Sequence, residues 1–145
     1  MTRINSAIKP KNLTDSMLNA ELRELPRIFT AVQKRHSENK PFNDIPTSFT
    51  LGIGHVKFFY NKCKFLTERH SELRKEYFNR FNQEYKFDIE RTKVPNYLFN
   101  DYVPTLEENK LLVERISTRI METKQKQKYY RKDIKKEDSI ELLYK

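Results

Sequence analysis

The scarcity of glycine is the feature that most limits what this chain can fold into. Its only glycines are Gly52 and Gly54. Two-residue hairpin turns favour glycine because their central residues take positive φ angles, and phosphate-binding loops also depend on glycine. We therefore expect neither hairpins nor a nucleotide-binding loop. The sequence favours an all-α fold built from long helices.

The size and composition indicate a single compact domain with a thin core. The chain has 145 residues, of which 37% are hydrophobic and 34% are charged. This length suits one domain, and so many charges require amphipathic elements to build the core. The net charge of +9 points to a polyanionic partner such as DNA or RNA. A basic surface that only aids solubility is the open alternative.

A first helix is predicted over residues 14–37. Thr14 or Asp15 can cap its amino end. Pro26 lies inside the pattern and removes one backbone donor, so we expect a kink there rather than an end. Apolar residues recur in steps of four and three, which is typical of one helical face: Leu18, Leu22, Leu25, Phe29 and Val32.

Two further helices are predicted over residues 54–81 and 105–124. Thr105 and Glu108 have the spacing of a capping box at the start of the latter. The first of the two is apolar on more than one side, which favours a central position between neighbours. The apolar stripe of the helix 54–81 consists of Val56, Phe59, Cys63, Leu66, His70, Leu73 and Tyr77. The stripe of the helix 105–124 consists of Leu112, Val113, Ile116 and Ile120.

The two ends of the chain are predicted to lie outside these helices. Residues 1–13 are polar and indicate an extended N-terminal arm, and residues 125–145 indicate a basic C-terminal tail. From residue 119 to residue 136, eight basic residues accompany two acidic ones, with Tyr129 and Tyr130 among them. Such a segment can grip phosphates and stack on exposed bases. A lysine-rich helix end is the alternative that composition leaves open.

Metal and cysteine chemistry are not expected. His36, His55 and His70 lack the spacing of metal ligands, and each is interpreted first as a structural residue. Cys63 is the only cysteine, so an internal disulfide is impossible and a reducing compartment fits. No segment resembles a signal peptide or a membrane span, and an intracellular protein is expected.

Two segments can carry chemistry. The first is the terminus, where removal of Met1 would leave the α-amine on Thr2. An α-amine has a reference pKa of about 7.7 to 8.0, so a useful fraction is neutral near pH 7 and can form a Schiff base with a sugar aldehyde. Most proteins carry an ordinary residue at this position, and that reading also stays open.

The second segment is the polar side of the first helix. Arg23, Arg27 and Lys34 lie on it, and Glu24 is within one helical step of Arg27. Such a basic face suits phosphate contacts, and a carboxylate among arginines stays ionised. That carboxylate can stabilise a cationic sugar or remove a sugar proton. A solvated face of intrahelical ion pairs is the alternative.

Together these segments resemble the bacteriophage family of pyrimidine-dimer DNA glycosylases with AP-lyase activity, known as phage endonuclease V. The similar stretches keep their order and separation across nearly the whole chain. They are MTRIN at 1–5, AELRELPRIFTAV at 20–32, PTSFTLGIGHVKFFYNK at 46–62, FLTER at 65–69, DYVP at 101–104 and KYYRK at 128–132.

The resemblance implies a three-helix domain with its N-terminal arm packed between the helices, and an enzyme without metal or cofactor. The amine of Thr2 would attack the sugar of the dimer, Glu24 would be the essential carboxylate, and β-elimination would then cleave the strand. The expected DNA contacts, the first three matched to family arginines, are Arg3, Arg23, Arg27, Lys34, Tyr129, Tyr130 and Lys132.

The expected partner is double-stranded DNA containing pyrimidine dimers or abasic sites, and the expected state is a monomer. By resemblance the protein would act in the cytoplasm of an infected bacterial host. Two rival functions stay open. One is a glycosylase and lyase for another base lesion, and the other is a basic DNA-binding protein without catalysis.

Overall fold

The computed structural model describes residues 3–89 and 93–145, and helices dominate these ranges. The helices pack around one hydrophobic core, and a small two-stranded sheet follows the last long helix. The helical class expected from the sequence is therefore correct in outline. In chain order the elements are a 3-10 turn Pro10–Asn12, α1 Asp15–Glu24, α2 Pro26–Ser37, α3 His55–Phe58, α4 Cys63–Phe81, a 3-10 turn Asn96–Leu98, α5 Leu106–Glu122, β1 Gln127–Tyr129, β2 Lys132–Ile134 and α6 Lys136–Leu143.

The first predicted helix forms as α1 and α2, which meet at Leu25. The Thr14 side chain accepts from the Met17 N–H and caps α1. Leu25 keeps helical angles, φ −56° and ψ −42°, although a following proline disfavours them. The chain thus stays helical through Pro26 while losing one backbone bond, which agrees with a kink. All five residues of the predicted stripe are buried.

The prediction of one continuous helix over residues 54–81 was wrong in one respect, because the chain forms two helices there, α3 and α4, with a break between them. The backbone N–H of Phe59 bonds to Val56, three residues back, and Lys62 leaves the helical region at φ −125°. The Lys62 ammonium then donates to the Phe58 carbonyl, which the break leaves without a helical partner. Because of the break, Phe58 and Phe59 are both buried although they are adjacent in sequence.

The third predicted helix is confirmed as α5. Thr105 and Glu108 form both hydrogen bonds of the capping box. Its four stripe residues are buried. In the connection before it, the 3-10 turn Asn96–Leu98 buries Leu98 against the core.

The predicted basic tail, 125–145, contains an antiparallel hairpin and α6, so the exclusion of hairpins was wrong. Tyr129 pairs with Lys132, and the turn residues Tyr130 and Arg131 have φ angles of 53° and 68°. Positive φ strains residues other than glycine. Here the Asp15 carboxylate accepts both backbone N–H groups of the turn, at 3.1 and 2.8 Å, and so compensates for the missing glycine.

The arm, as far as the structure describes it, is part of the core. Ile4, Ile8 and Leu13 are at most 3% exposed. Their side chains belong to the same apolar cluster as those of α1, α4 and α5. The arm is therefore held by burial of apolar surface, and its backbone has a fixed course between the helices. Within the described ranges no helix is long and apolar enough to cross a bilayer.

Candidate functional site

A pocket of about 300 Å³ opens between the arm, α1 and α5. It is amphipathic: apolar side chains form one part of its wall, and charged and amide groups form the other. The lining residues are Arg3, Asn5, Ser16, Met17, Ala20, Glu21, Glu24, Ile116, Arg119, Ile120, Thr123 and Gln127. Two of them, Arg3 and Glu24, were predicted as site residues, and the fold brings them to one cavity from separate elements.

Arg3 carries unused hydrogen-bonding capacity into this pocket. Its Nε and Nη1 atoms are buried and have no hydrogen-bond partner in the part of the chain that the structure describes. Burial and the neighbouring cations Arg119 and Arg115 lower the pKa of Arg3 to about 10. Buried donors without partners are costly, and like charges repel. An anion bound between these arginines would relieve both penalties.

Glu24 supplies a carboxylate to the same pocket from the last turn of α1. Glu24 is half-buried, and its carboxylate makes no hydrogen bond or ion pair with residues 3–89 or 93–145. The intrahelical pair with Arg27, allowed by the spacing, does not form. A carboxylate without a described partner in a partly enclosed pocket is available to a bound substrate.

Two side chains of the core fix the arm below this pocket. Glu21 is a fully buried carboxylate that accepts from the Asn5 amide at 2.9 Å and from Arg69 at 2.6 and 3.0 Å. Arg69 also donates to the Ile8 carbonyl at 2.7 Å. A buried charge pair requires such complete hydrogen bonding. The pair therefore ties the arm to α1 and α4 at Asn5 and Ile8.

His55 makes a third attachment, nearer the start of the arm. The ring is 2% exposed, and its Nε2 lies 3.0 Å from the Ile4 backbone nitrogen. Because Ile4 donates there, Nε2 carries no proton, and Nδ1–H donates to the Thr50 carbonyl at 2.9 Å. Burial lowers the pKa of His55, which favours this neutral form.

The predicted basic face of the first helix is exposed but separate from the pocket lining. Arg23, Arg27 and Lys34 are exposed on α1 and α2, and none of them forms an ion pair with a described residue. Their guanidinium and ammonium groups are therefore free for phosphates, as the prediction requires. Their contact with DNA stays a prediction.

The hairpin tyrosines have a structural role in this fold. Tyr129 and Tyr130 donate their hydroxyls to the Lys11 carbonyl and to Glu76, both at 2.7 Å. Their rings lie against the Arg80 guanidinium, 4.9 and 4.7 Å from the ring centroids. Lys132 is exposed on β2. None of the three lines the pocket, and their DNA contacts stay a prediction.

One predicted site residue lies outside the described ranges, and the sequence analysis did not identify two arginines that lie near the pocket. Thr2 is not among residues 3–89 and 93–145. Arg115 and Arg119, the cations beside Arg3, were not proposed from the sequence. A signal for them exists, because they are spaced four apart and each precedes a buried isoleucine, Ile116 or Ile120. That spacing puts both at the edge of the buried face of α5.

Other reactive groups are poorly placed for catalysis. Burial raises the pKa of the Cys63 thiol to about 12, and its Sγ lies 3.3 Å from the Tyr60 carbonyl. A thiol with such a pKa is a poor nucleophile at neutral pH. Within the described ranges, no three histidine, cysteine or acidic side chains cluster closely enough to hold a metal ion.

The amino-terminal part of the chain matches the model of a known protein family. A family model described as pyrimidine dimer DNA glycosylase matches residues 1–89. This range, 89 of 145 residues, covers more than half of the chain and extends from the terminus through α4. It includes Arg3, Glu24 and His55, whereas Arg115 and Arg119 on α5 lie beyond it.

Proposed function

The chain belongs to the pyrimidine dimer DNA glycosylase family, and from this premise we propose that it is bifunctional, excising the dimer and then cleaving the strand as an AP lyase. The nucleophile of both reactions is the α-amine of Thr2 after removal of Met1. The assisting carboxylate is Glu24. By resemblance, the proposed setting is the cytoplasm of a bacterial host infected by a phage, and the proposed state is a monomer.

The observation that supports this proposal most strongly is that one pocket combines cationic hydrogen-bond donors with a carboxylate. Arg3 offers buried donors beside Arg119, and Glu24 offers a carboxylate; neither group has a partner among the described residues. The arginine donors can bind a phosphodiester, whereas the carboxylate can stabilise a cationic sugar or remove a proton from an acidic C–H bond. A protein that only binds the DNA backbone has no need of a half-buried carboxylate, which would repel phosphates.

Chain connectivity supports Thr2 as the nucleophile. Thr2 precedes Arg3, and consecutive Cα atoms of a trans peptide are about 3.8 Å apart. Because Arg3 lines the pocket and Ile4 is anchored to His55, an amine at residue 2 is within reach of a sugar bound beside Glu24. An α-amine is also a better nucleophile at pH 7 than lysine, because more of it is neutral.

The proposed glycosylase step conserves atoms and charge as follows. The neutral amine forms a bond to C1′ of the 5′ nucleotide of the dimer. The glycosidic bond breaks, and its electron pair leaves on the pyrimidine, which takes up a proton. The C1′–O4′ bond then opens with its electron pair on O4′, which takes up a proton lost from the nitrogen, and a protonated imine joins protein and sugar. Glu24 stabilises the positive charge that develops on the sugar.

The proposed lyase step starts from that imine. Glu24 removes a proton from C2′, which the imine acidifies, and the bond from carbon to the 3′ phosphate oxygen breaks with its electron pair on the phosphate. Water then hydrolyses the imine and regenerates the amine of Thr2. Arg3 and Arg119 hold a neighbouring phosphate during both steps and keep the sugar in place.

Incision of defined duplexes tests this function. We expect protein with a verified Thr2 terminus to nick a duplex that carries one cyclobutane pyrimidine dimer. We also expect cyanoborohydride to trap a covalent adduct on a duplex with an abasic site. Incision of an oxidised pyrimidine instead of the dimer would assign the lyase to another lesion. A protein that binds both duplexes but yields no adduct would be a binding protein, and the proposal would be wrong.

The phosphate contacts can be tested separately through the salt dependence of binding. We expect Arg119→Ala to reduce the slope of log affinity against log salt by about one, since a protein that binds one phosphate fewer releases about one counterion fewer. Arg119→Lys retains the charge and serves as the matched control, with an unchanged slope. Arg23→Ala and Arg27→Ala are also each expected to reduce the slope by about one. A slope equal to that of the parent protein would place the phosphate contact elsewhere.

A further inference from the structure

We infer that His55 is a positioning residue that fixes the start of the arm, and hence the proposed nucleophile, through its hydrogen bond to the backbone of Ile4. This inference rests on the proposed function of Thr2 and adds to it a side chain outside the pocket lining. His55 contributes no atom to the reaction. It determines where the amine is held.

The attachments of the arm divide its positioning into two parts. Glu21 and Arg69 hold Asn5 and Ile8, so they keep the body of the arm in the core. Among the residues that the structure describes, only His55 bonds the backbone of Ile4, two residues from Thr2. Without that bond the body of the arm, including the buried Ile4 side chain, would stay docked, while the backbone that precedes Ile4 would lose its nearest attachment. A shift of about 1 Å in the placement of a reacting group can slow a reaction a hundredfold.

The surroundings of His55 fix the ring in the orientation that this role requires. Its Nδ1–H donates to Thr50, and the rings of Phe49 and Phe59 pack edge-on at 5.6 and 5.4 Å between centroids. Gly54, directly before it, has φ 89°, and a Cβ there would meet Pro46 at 3.3 Å. The ring cannot turn away from Ile4 while the bond to Thr50 and the ring packing hold, so its Nε2 acts as a preset acceptor.

Protonation of His55 would remove that acceptor. The imidazolium would present an N–H to the N–H of Ile4 and would bury a charge near the guanidinium of Arg3. The charged groups that face the ring are Arg3, which lowers its pKa, and Glu21, which raises it while paired with Arg69. Burial is the largest influence, and together with Arg3 it outweighs the Thr50 hydrogen bond and Glu21, which both raise the pKa. The pKa of His55 therefore lies below its usual value, so the bond to Ile4 is present at neutral pH and is lost as the pH falls through that lowered pKa.

The test measures the rate of adduct formation and the affinity for DNA separately. His55→Leu removes the acceptor and fills the buried site, and His55→Gln keeps an acceptor that does not titrate. Under single-turnover trapping on an abasic duplex, we expect His55→Leu to form adduct at least about tenfold more slowly, with DNA affinity within about twofold of the parent. We expect His55→Gln to recover most of the rate. His70→Leu replaces another buried histidine, 1% exposed, and controls for general loss of core stability.

The pH profile gives a readout that a purely structural role would not change. Below its pKa, the amine alone makes log rate fall with a slope of about one as the pH drops. In the parent protein, protonation of His55 should steepen the slope toward about two as the pH falls through the lowered pKa of the imidazole, and His55→Gln should keep the slope near one. Identical profiles would overturn the inference, as would a parent-like rate for His55→Leu or an equal loss of rate and affinity. A parent protein that forms no adduct would instead overturn the proposed function.

Discussion

Glu24→Gln is expected to bind dimer-containing DNA with nearly the affinity of the parent protein and to cleave the glycosidic bond of the dimer at least about a thousandfold more slowly. Glutamine has almost the same shape, so the pocket between arm, α1 and α5 should persist. It carries no charge to stabilise a cationic sugar, and it cannot accept the C2′ proton. Electrostatic stabilisation and general-base catalysis each accelerate a reaction by about 10² to 10⁴. Because the Glu24 carboxylate makes no hydrogen bond or ion pair with a described residue, its replacement by an amide breaks none within residues 3–89 and 93–145.

The measurement is single-turnover cleavage of the glycosidic bond, detected as base set free when light reverses the cyclobutane ring, together with the equilibrium affinity for the same duplex. Glu68→Gln provides the matched control, because Glu68 is exposed on α4 and does not line the pocket. We expect that control to match the parent in both quantities. Cleavage of the glycosidic bond by Glu24→Gln at the parent rate would remove Glu24 from the mechanism. A loss of affinity as large as the loss of rate would give Glu24 a structural role.

The parts of the fold that were predictable from sequence depend on local periodicity and capping. The stripe from Leu18 to Val32, the cap at Thr14 and the capping box at Thr105 are each specified by residues within a few positions. Local chemistry of this kind is readable without the tertiary structure. Pro26 is a further case, because its effect on the helix acts within one turn.

The hairpin and the helix break depend on distant residues. The turn at Tyr130 and Arg131 takes positive φ because Asp15 accepts its backbone donors, and Asp15 is more than 100 positions earlier. A scarcity of glycine therefore does not exclude a hairpin when another element satisfies the turn. The break before α4 places two consecutive phenylalanines in the core, and helical period alone cannot indicate it.

The candidate site was predictable in part for the same reason. Glu24 and Arg3 lie in segments with recognisable patterns, so their selection did not require the fold. Arg119 and His55 matter through what they approach, the guanidinium of Arg3 and the backbone of Ile4. Neither contact follows from residues nearby in the sequence. A pocket built by three elements reveals its full set of side chains only when those elements are packed together.

Blocking the terminal amine is expected to abolish both covalent adduct and strand cleavage while leaving DNA binding intact. The comparison uses one preparation that carries a cleavable N-terminal extension, tested before and after proteolysis exposes Thr2. The extension turns the amine into an amide, whose nitrogen lone pair is delocalised and does not attack a sugar. The phosphate contacts of Arg3, Arg23 and Arg27 would remain, so affinity should change by less than about threefold, whereas trapping should fall below detection.

Proteolysis should restore activity in proportion to the fraction of chains that begin at Thr2, which mass spectrometry of the intact protein measures. Chains that keep Met1 also have a free amine, displaced by one residue, or about 3.8 Å along the chain. A displacement of this size exceeds the tolerance of an attack geometry by severalfold, so these chains should contribute little adduct. Equal trapping before and after cleavage would show that another amine reacts, with the lysines of the chain as the alternatives. Activity that tracks the Thr2 fraction would tie the reaction to a single nitrogen.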